Sequence, residues 1–128
     1  MNQLQEMLFR LGSAPGAAGR EEGAAQVAAE LLSFLPNVKT DTLGSVVASF
    51  GNPEAKPHIL LDAHLYQIGM LVTSVDENGF LKVARDGGMD RRVLPGSRVV
   101  VYGKETLNGI VCCLPPHLTD GGEDKVPD

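Results

Sequence analysis

The sequence lacks any run of basic residues. Eleven Lys and Arg residues stand against sixteen Asp and Glu residues, which gives a formal net charge of −5. Binding to nucleic acid depends on clustered positive charge. The composition therefore excludes nucleic acid as an expected partner.

Long apolar runs are also missing. No stretch approaches the ~20 apolar residues that span a membrane, and residues 1–6 lack the cationic and apolar order of a signal peptide. We therefore expect no membrane partner and a cytoplasmic location. The only cysteines, Cys112 and Cys113, are adjacent. Neighbouring side chains on a strand point to opposite faces, so we predict two reduced packing residues and no disulfide framework.

Helical periodicity is present near the start of the chain. Apolar residues at i, i+3, i+4 and i+7 predict a first helix that ends in the turn at residues 13–16. A second apolar stripe predicts a helix over residues 20–35, with Pro36 after it. The stripe of the first helix consists of Leu4, Met7, Leu8 and Leu11.

Short β-branched and apolar runs follow Pro36 and predict strands. The run at 58–65 is nearly continuous in apolar character, as in a sheet covered on both faces, yet the chain has too few helices to cover such a sheet. Asn78 and Gly79 tolerate positive φ and predict a hairpin turn at 76–79. The predicted strands are 38–42, 45–50, 58–65, 68–75, 80–84, 98–102 and 106–114.

Few residues carry chemistry that can be assigned from spacing alone. The three histidines, His58, His64 and His117, have no i, i+4 helical spacing. Asp62 and His64 are two residues apart and share a face of the predicted strand, but a single strand-end histidine is more often structural. The chain has no nucleophile elbow, no phosphate-binding loop and no Cys-x-x-Cys pair. We interpret residues 90–92 as a solvated turn rather than an anion site.

Seven short motifs occur in a fixed order along the chain. They are Leu-Asp-Ala-His-Leu-Tyr-Gln-Ile-Gly-Met at 61–70, Asn-Gly-Phe-Leu at 78–81, Gly-Gly-Met-Asp at 87–90, Val-Leu-Pro-Gly at 93–96, Arg-Val-Val-Val at 98–101, Asn-Gly-Ile-Val at 108–111 and Leu-Pro-Pro-His-Leu at 114–118. With these motifs the chain resembles the glutamyl aminopeptidase and tetrahedral aminopeptidase family, the cocatalytic metallopeptidases of clan MH.

The resemblance implies an α/β fold in two parts. Residues 1–66 would be the N-terminal part of a phosphorylase/hydrolase-like catalytic domain, and 67–118 a small all-β domain that resembles the protease-associated fold and serves oligomerisation. Residues 119–128 would form a mobile acidic tail. In the family a second, larger part of the catalytic domain follows, so we expect this chain to be truncated.

The resemblance also implies one site residue, His64, as a ligand of the first metal. The family pattern is His, a hydrophobic residue and then Asp, whose carboxylate orients the imidazole. Tyr66 stands at the Asp position, so we expect the usual control of the imidazole tautomer to be lost. No other catalytic residue and no substrate-binding residue is assigned.

By family the function is removal of N-terminal residues from peptides with two divalent metals, zinc or cobalt. We expect the chain alone to be inactive and to hold no metal tightly. The alternative is a noncatalytic module that pairs with itself or with a full-length paralogue through exposed sheet edges. A generic protease-associated-like binding domain is a third interpretation, which the helical start and the His64 strand disfavour.

Overall fold

Two helices begin the chain, which a computed structural model describes over residues 2–113. Helix α1 is Gln3–Ser13 and helix α2 is Glu22–Leu31. Asn2 caps α1, because its Oδ1 accepts the Gln5 N–H at 2.9 Å while Gln5 Oε1 accepts the Asn2 N–H at 2.9 Å. Two backbone donors that a helix start leaves unpaired are thus satisfied. The predicted first helix is confirmed.

Helix α2 is shorter than the predicted helix over residues 20–35. Its last turn tightens, since the Ser33 N–H bonds to the Glu30 carbonyl at 3.2 Å and the Leu35 N–H to the Leu32 carbonyl at 2.8 Å. These bonds join residues three apart rather than four, which ends an α-helix before the proline. The apolar stripe therefore continues into turns beyond the helix.

The buried side chains of the helical part are small. The buried apolar residues are four alanines, and no large side chain among the described residues is fully buried. An ion pair between Arg10 Nη2 and Glu30 Oε2, at 2.6 Å, links the helix surfaces, but such an exposed pair contributes only ~0–1 kcal/mol. The buried alanines are Ala14, Ala24, Ala25 and Ala28.

Between residues 2 and 113, six short strands form three antiparallel hairpins. Each strand pairs with its neighbour along the chain: β1 with β2, β3 with β4, and β5 with β6. Each pair lies where the sequence predicts strands. Strands β1 and β2 are shorter than the predicted strands. The last strand, β6, ends at Ile110, whereas the predicted strand continued to residue 114, which lies outside the described residues. The strands are β1 Lys39–Thr40, β2 Val46–Val47, β3 Gly69–Val75, β4 Leu81–Asp86, β5 Arg98–Tyr102 and β6 Thr106–Ile110.

The turn between β3 and β4 confirms the predicted hairpin. Asp76 Oδ1 accepts the N–H of Asn78 at 2.9 Å and that of Phe80 at 2.8 Å. Gly79 has φ 85°, a conformation that glycine adopts without steric cost. This local chemistry sets the register next to the turn, where Val75 pairs with Leu81, and an irregularity between Val72 and Ser74 shifts the register before Gly69 pairs with Asp86.

The predicted strand at 58–65 is wrong for the described structure. These residues belong to no strand, because nothing between residues 2 and 113 forms a hydrogen-bonded ladder with them. Ile59, Leu60 and Leu61 are 83%, 88% and 87% exposed. The expected sheet with both faces covered is therefore not formed here.

Contacts divide the chain into two units, Met1–Gly87 and Gly88–Asp128. The first contains both helices and the hairpins β1–β2 and β3–β4. The second contains the hairpin β5–β6 and a 3-10 turn at Arg91–Val93, which the all-β prediction for this part of the chain did not include.

The remaining expectations concern the two cysteines, the chain end and the membrane. Cys112 and Cys113 are free, as predicted, but both are exposed, so the prediction that they pack is wrong.

His117 and the predicted tail at 119–128 lie outside the described residues. Within the described part of the chain, neither helix has the length and apolar character needed to cross a membrane.

Candidate functional site

The candidate metal ligand His64 lies in the extended segment before β3. It is exposed and does not end a buried strand, as the sequence had predicted. Its Nδ1 lies 3.1 Å from the main-chain carbonyl oxygen of Tyr66. A carbonyl oxygen only accepts hydrogen bonds, so Nδ1 is the donor in this contact and Nε2 carries the lone pair of the neutral ring.

The Tyr66 ring packs against the imidazole. The two ring centroids are 4.6 Å apart and the ring planes are tilted by 32°. This separation is typical of attractive contacts between aromatic rings. Tyr66 is 49% exposed, so one side of its ring covers His64 while much of the residue stays open to solvent. The structure thus brings together the two residues that the sequence singles out.

Gln67 fixes this segment to the turn between the helices. Its backbone N–H donates to the Gly16 carbonyl at 2.6 Å, and its side-chain Nε2 donates to the Ala14 carbonyl at 3.0 Å. Gln67 also forms an isolated parallel bridge with Ala17. The segment that carries His64 is therefore joined to a turn about fifty residues earlier in the chain. Sequence reasoning missed Gln67, because nothing in its local pattern points to so distant a partner.

Gly16 makes the close approach between the turn and this segment feasible. A Cβ at residue 16 would lie 3.1 Å from the Ala24 Cβ and 3.3 Å from the Leu65 carbonyl oxygen. Both distances are tighter than ordinary van der Waals contact. The absent side chain therefore lets the turn lie between α2 and the segment that carries His64.

A complete metal site is not formed by the described residues. Between residues 2 and 113, no three His, Cys, Asp or Glu side chains are placed to hold one ion. A structural metal site normally has four protein ligands and a catalytic zinc site three, and His64 supplies one imidazole. Within residues 2–113, His64 could therefore bind a metal only together with ligands from elsewhere. Asp62 is not part of any group of three candidate ligands with His64.

The other polar candidates are satisfied locally. His58 Nε2 lies 3.1 Å from the Pro53 carbonyl oxygen. Arg92 Nη2 donates to Asp90 Oδ2 at 2.7 Å. The hydrogen bonds from Arg92 lower the pKa of the Asp90 carboxyl, and the carboxylate in turn raises the pKa of the Arg92 guanidinium. Residues 90–92 thus form an exposed turn, as predicted, and the structure adds the ion pair between Arg92 and Asp90.

Comparison with known proteins identifies the family. The sequence profile described as M42 glutamyl aminopeptidase matches residues 44–128. The chain belongs to this family. The profile match confirms the resemblance found in the sequence. The M42 family is metal-dependent.

Individual relatives agree with the family assignment. A lysyl aminopeptidase of Pyrococcus furiosus is 30% identical over 123 residues, which cover 94% of this chain and 35% of that protein. A TET aminopeptidase from the marine sediment archaeon Thaumarchaeota archaeon SCGC AB-539-E09 has a TM-score of 0.85 at 31% identity, covering 99% of this chain and 36% of that one. PhTET1-12s, solved as a dodecamer, has a TM-score of 0.76 at 32% identity, covering 94% and 36%. This M42 chain therefore spans about a third of the length of the curated relatives it matches.

Proposed function

We propose that this M42 chain takes part in a metal-dependent aminopeptidase and that His64 is its ligand to the first metal. The substrate class is peptides with a free N-terminus, because relatives across the family are aminopeptidases. The observation that carries the proposal is the contact between His64 Nδ1 and the Tyr66 carbonyl oxygen. Histidines that bind metals commonly use one ring nitrogen in this way and present the other to the ion.

We further propose that the 128 residues alone are not catalytic. Among the described residues no three His, Cys, Asp or Glu side chains are placed to hold one ion, and His64 is the one ligand that we propose. A metallopeptidase must hold its metal, generate a nucleophile and move a proton, and a lone imidazole supplies one ligand to that arrangement. For this reason no catalytic step is assigned to the residues of this chain.

The assay is release of a chromophore from aminoacyl-anilides in the presence of added zinc or cobalt. We expect the purified chain to match the rate of its His64→Ala variant and of the metal alone. Turnover that survives repurification and disappears in His64→Ala would contradict the proposed inactivity and would support His64 as a ligand.

The domain organisation is also a proposal. We assign residues 1–66 to the catalytic part of the family fold, 67–118 to a β-rich, protease-associated-like domain, and 119–128 to a tail. The hairpins β3–β4 and β5–β6 support a β-rich stretch after Gln67. The contact division after Gly87 falls inside this stretch, so each hairpin belongs to a different contact unit.

A second candidate function is self-assembly without catalysis. Its support is the exposed apolar segment around Ile59, Leu60 and Leu61, together with the dodecamer formed by PhTET1-12s. Contiguous apolar surface on a soluble protein commonly marks an interface. We propose that a second copy of this chain covers the segment, whether or not a catalytic centre is completed.

A further inference from the structure

Tyr66 occupies the position at which the family pattern has an aspartate, and its main chain contacts the candidate metal ligand. We infer that the Tyr66 carbonyl, rather than any side-chain carboxylate, is the group that orients His64 in this protein. Tyr66 is thus a positioning residue that acts through its backbone and its ring. This inference rests on the proposed function of His64, and it explains how a ligand histidine retains a defined orientation without the usual acid.

The hydrogen bond itself selects one tautomer. The Nδ1–O distance of 3.1 Å lies within the range of an N–H···O bond. Because the carbonyl can only accept, the neutral ring is protonated at Nδ1 and its lone pair is at Nε2. Carbonyls and carboxylates both serve as such partners for metal-binding histidines. The loss of the aspartate therefore does not remove control of the tautomer.

The orientation of that carbonyl is fixed through its own peptide unit. The Tyr66 C=O and the Gln67 N–H belong to one planar peptide group, in which the two point in opposite directions when the bond is trans. The Gln67 N–H donates to the Gly16 carbonyl at 2.6 Å. The Tyr66 carbonyl therefore points away from the turn between the helices and toward His64. The Gln67 side chain adds its bond to the Ala14 carbonyl at 3.0 Å.

The Tyr66 ring supplies the second constraint. With centroids 4.6 Å apart, the ring lies beside the imidazole and restricts its rotation about the side-chain bonds. This contact uses the face of the ring and needs no hydroxyl group. An aspartate at position 66 has no aromatic ring to pack against the imidazole. The ring contact is therefore specific to a chain with tyrosine at this position.

The test is the tautomer of each imidazole, read from 15N NMR of the full chain at alkaline pH, where histidine is neutral. We expect His64 to be mainly Nδ1–H. His58 is an internal reference for the opposite tautomer. Its Nε2 lies 3.1 Å from the Pro53 carbonyl oxygen, so we expect its ring to be mainly Nε2–H. Single His→Gln variants assign the signals. A majority of Nε2–H at His64 in the unchanged chain would overturn the inference.

Two variants test whether the His64 tautomer depends on the main chain or on the side chains of Tyr66 and Gln67. Tyr66→Phe keeps the carbonyl and the ring, so we expect the His64 tautomer to stay Nδ1–H. Gln67→Ala removes the side-chain bond to Ala14 but keeps the backbone bond to Gly16, so we expect His64 to stay mainly Nδ1–H and His58 to be unchanged. A switch of the His64 tautomer in Tyr66→Phe or in a folded Gln67→Ala variant would contradict the inference. If Gln67→Ala does not fold, the unchanged chain and Tyr66→Phe decide.

Zinc alone, added to the same sample, distinguishes this inference from the proposed function. Nδ1–H at His64 without any response of its Nε2 to zinc would support the positioning role while contradicting the ligand role. A zinc response at His64 in a ring that is mainly Nε2–H would support the ligand role and overturn the positioning role of Tyr66.

Discussion

Replacing Gly23 with alanine will destabilise the chain, although alanine is the better helix former. A Cβ at residue 23 would lie 2.8 Å from the Pro15 carbonyl oxygen, the same oxygen that accepts the Ala24 N–H at 2.9 Å. Alanine gains up to ~1 kcal/mol over glycine in a helix, but overpacking costs ~1–3 kcal/mol and a weakened hydrogen bond ~1 kcal/mol. We expect a net loss of about 1–3 kcal/mol in the free energy of unfolding.

Gly12→Ala is the matched control. Gly12 lies in α1, and a Cβ there would meet nothing within 4 Å. Its expected effect is a stabilisation of about 0.5–1 kcal/mol from helix propensity alone. Urea unfolding of both variants measures the two free energies. A Gly23→Ala chain as stable as the unchanged chain would show that the turn at Pro15 yields easily and does not fix the position of the helices.

Self-association of the chain will weaken by about a hundredfold or more when Ile59 and Leu61 are both replaced by lysine. Each of these side chains is more than four-fifths exposed, and burying one contributes ~1.5–3 kcal/mol. A change of ~1.4 kcal/mol is tenfold in a dissociation constant, and introduced charges add repulsion. Ile59 and Leu61 flank Leu60, so the double variant places charge on both sides of the most exposed residue of this segment.

Sedimentation equilibrium over a wide concentration range gives the measurement. Leu43→Lys is the control, since Leu43 is 91% exposed in the turn between β1 and β2 and lies outside the segment. We expect its association to equal that of the unchanged chain. A well-ordered monomer of the unchanged chain at high concentration would instead show that the apolar residues around Leu60 need no cover.

Features governed by near neighbours could be predicted from the sequence. The periodicity of α1 and the turn at Asp76 depend on residues close together in the chain. The hairpin β5–β6 likewise joins strands separated by three residues. In these elements local hydrogen bonds and side-chain period determine the same structure.

Features that depend on distant partners could not be predicted. The apolar run at 58–65 has the composition of a buried strand, but a strand also needs a partner ladder, which its own residues do not specify. The end of α2 at Leu31 was misjudged because the apolar stripe continues into tightened turns. For the candidate site, the family resemblance pointed to His64 and Tyr66. The contact with the Tyr66 carbonyl and the Gln67 anchor arise from backbone geometry, which leaves no signature in residue types.

We propose that His64 is a metal ligand of this M42 chain and that residues 2–113 supply no complete ligand set around it. Zinc titration followed by calorimetry and by the imidazole 15N signals tests it most directly, with His64→Ala and His58→Ala compared in parallel. We predict weak binding whose response is centred on His64, which is lost in His64→Ala and kept in His58→Ala. One or two zinc ions held tightly per chain, or binding that persists unchanged in His64→Ala, would contradict the account.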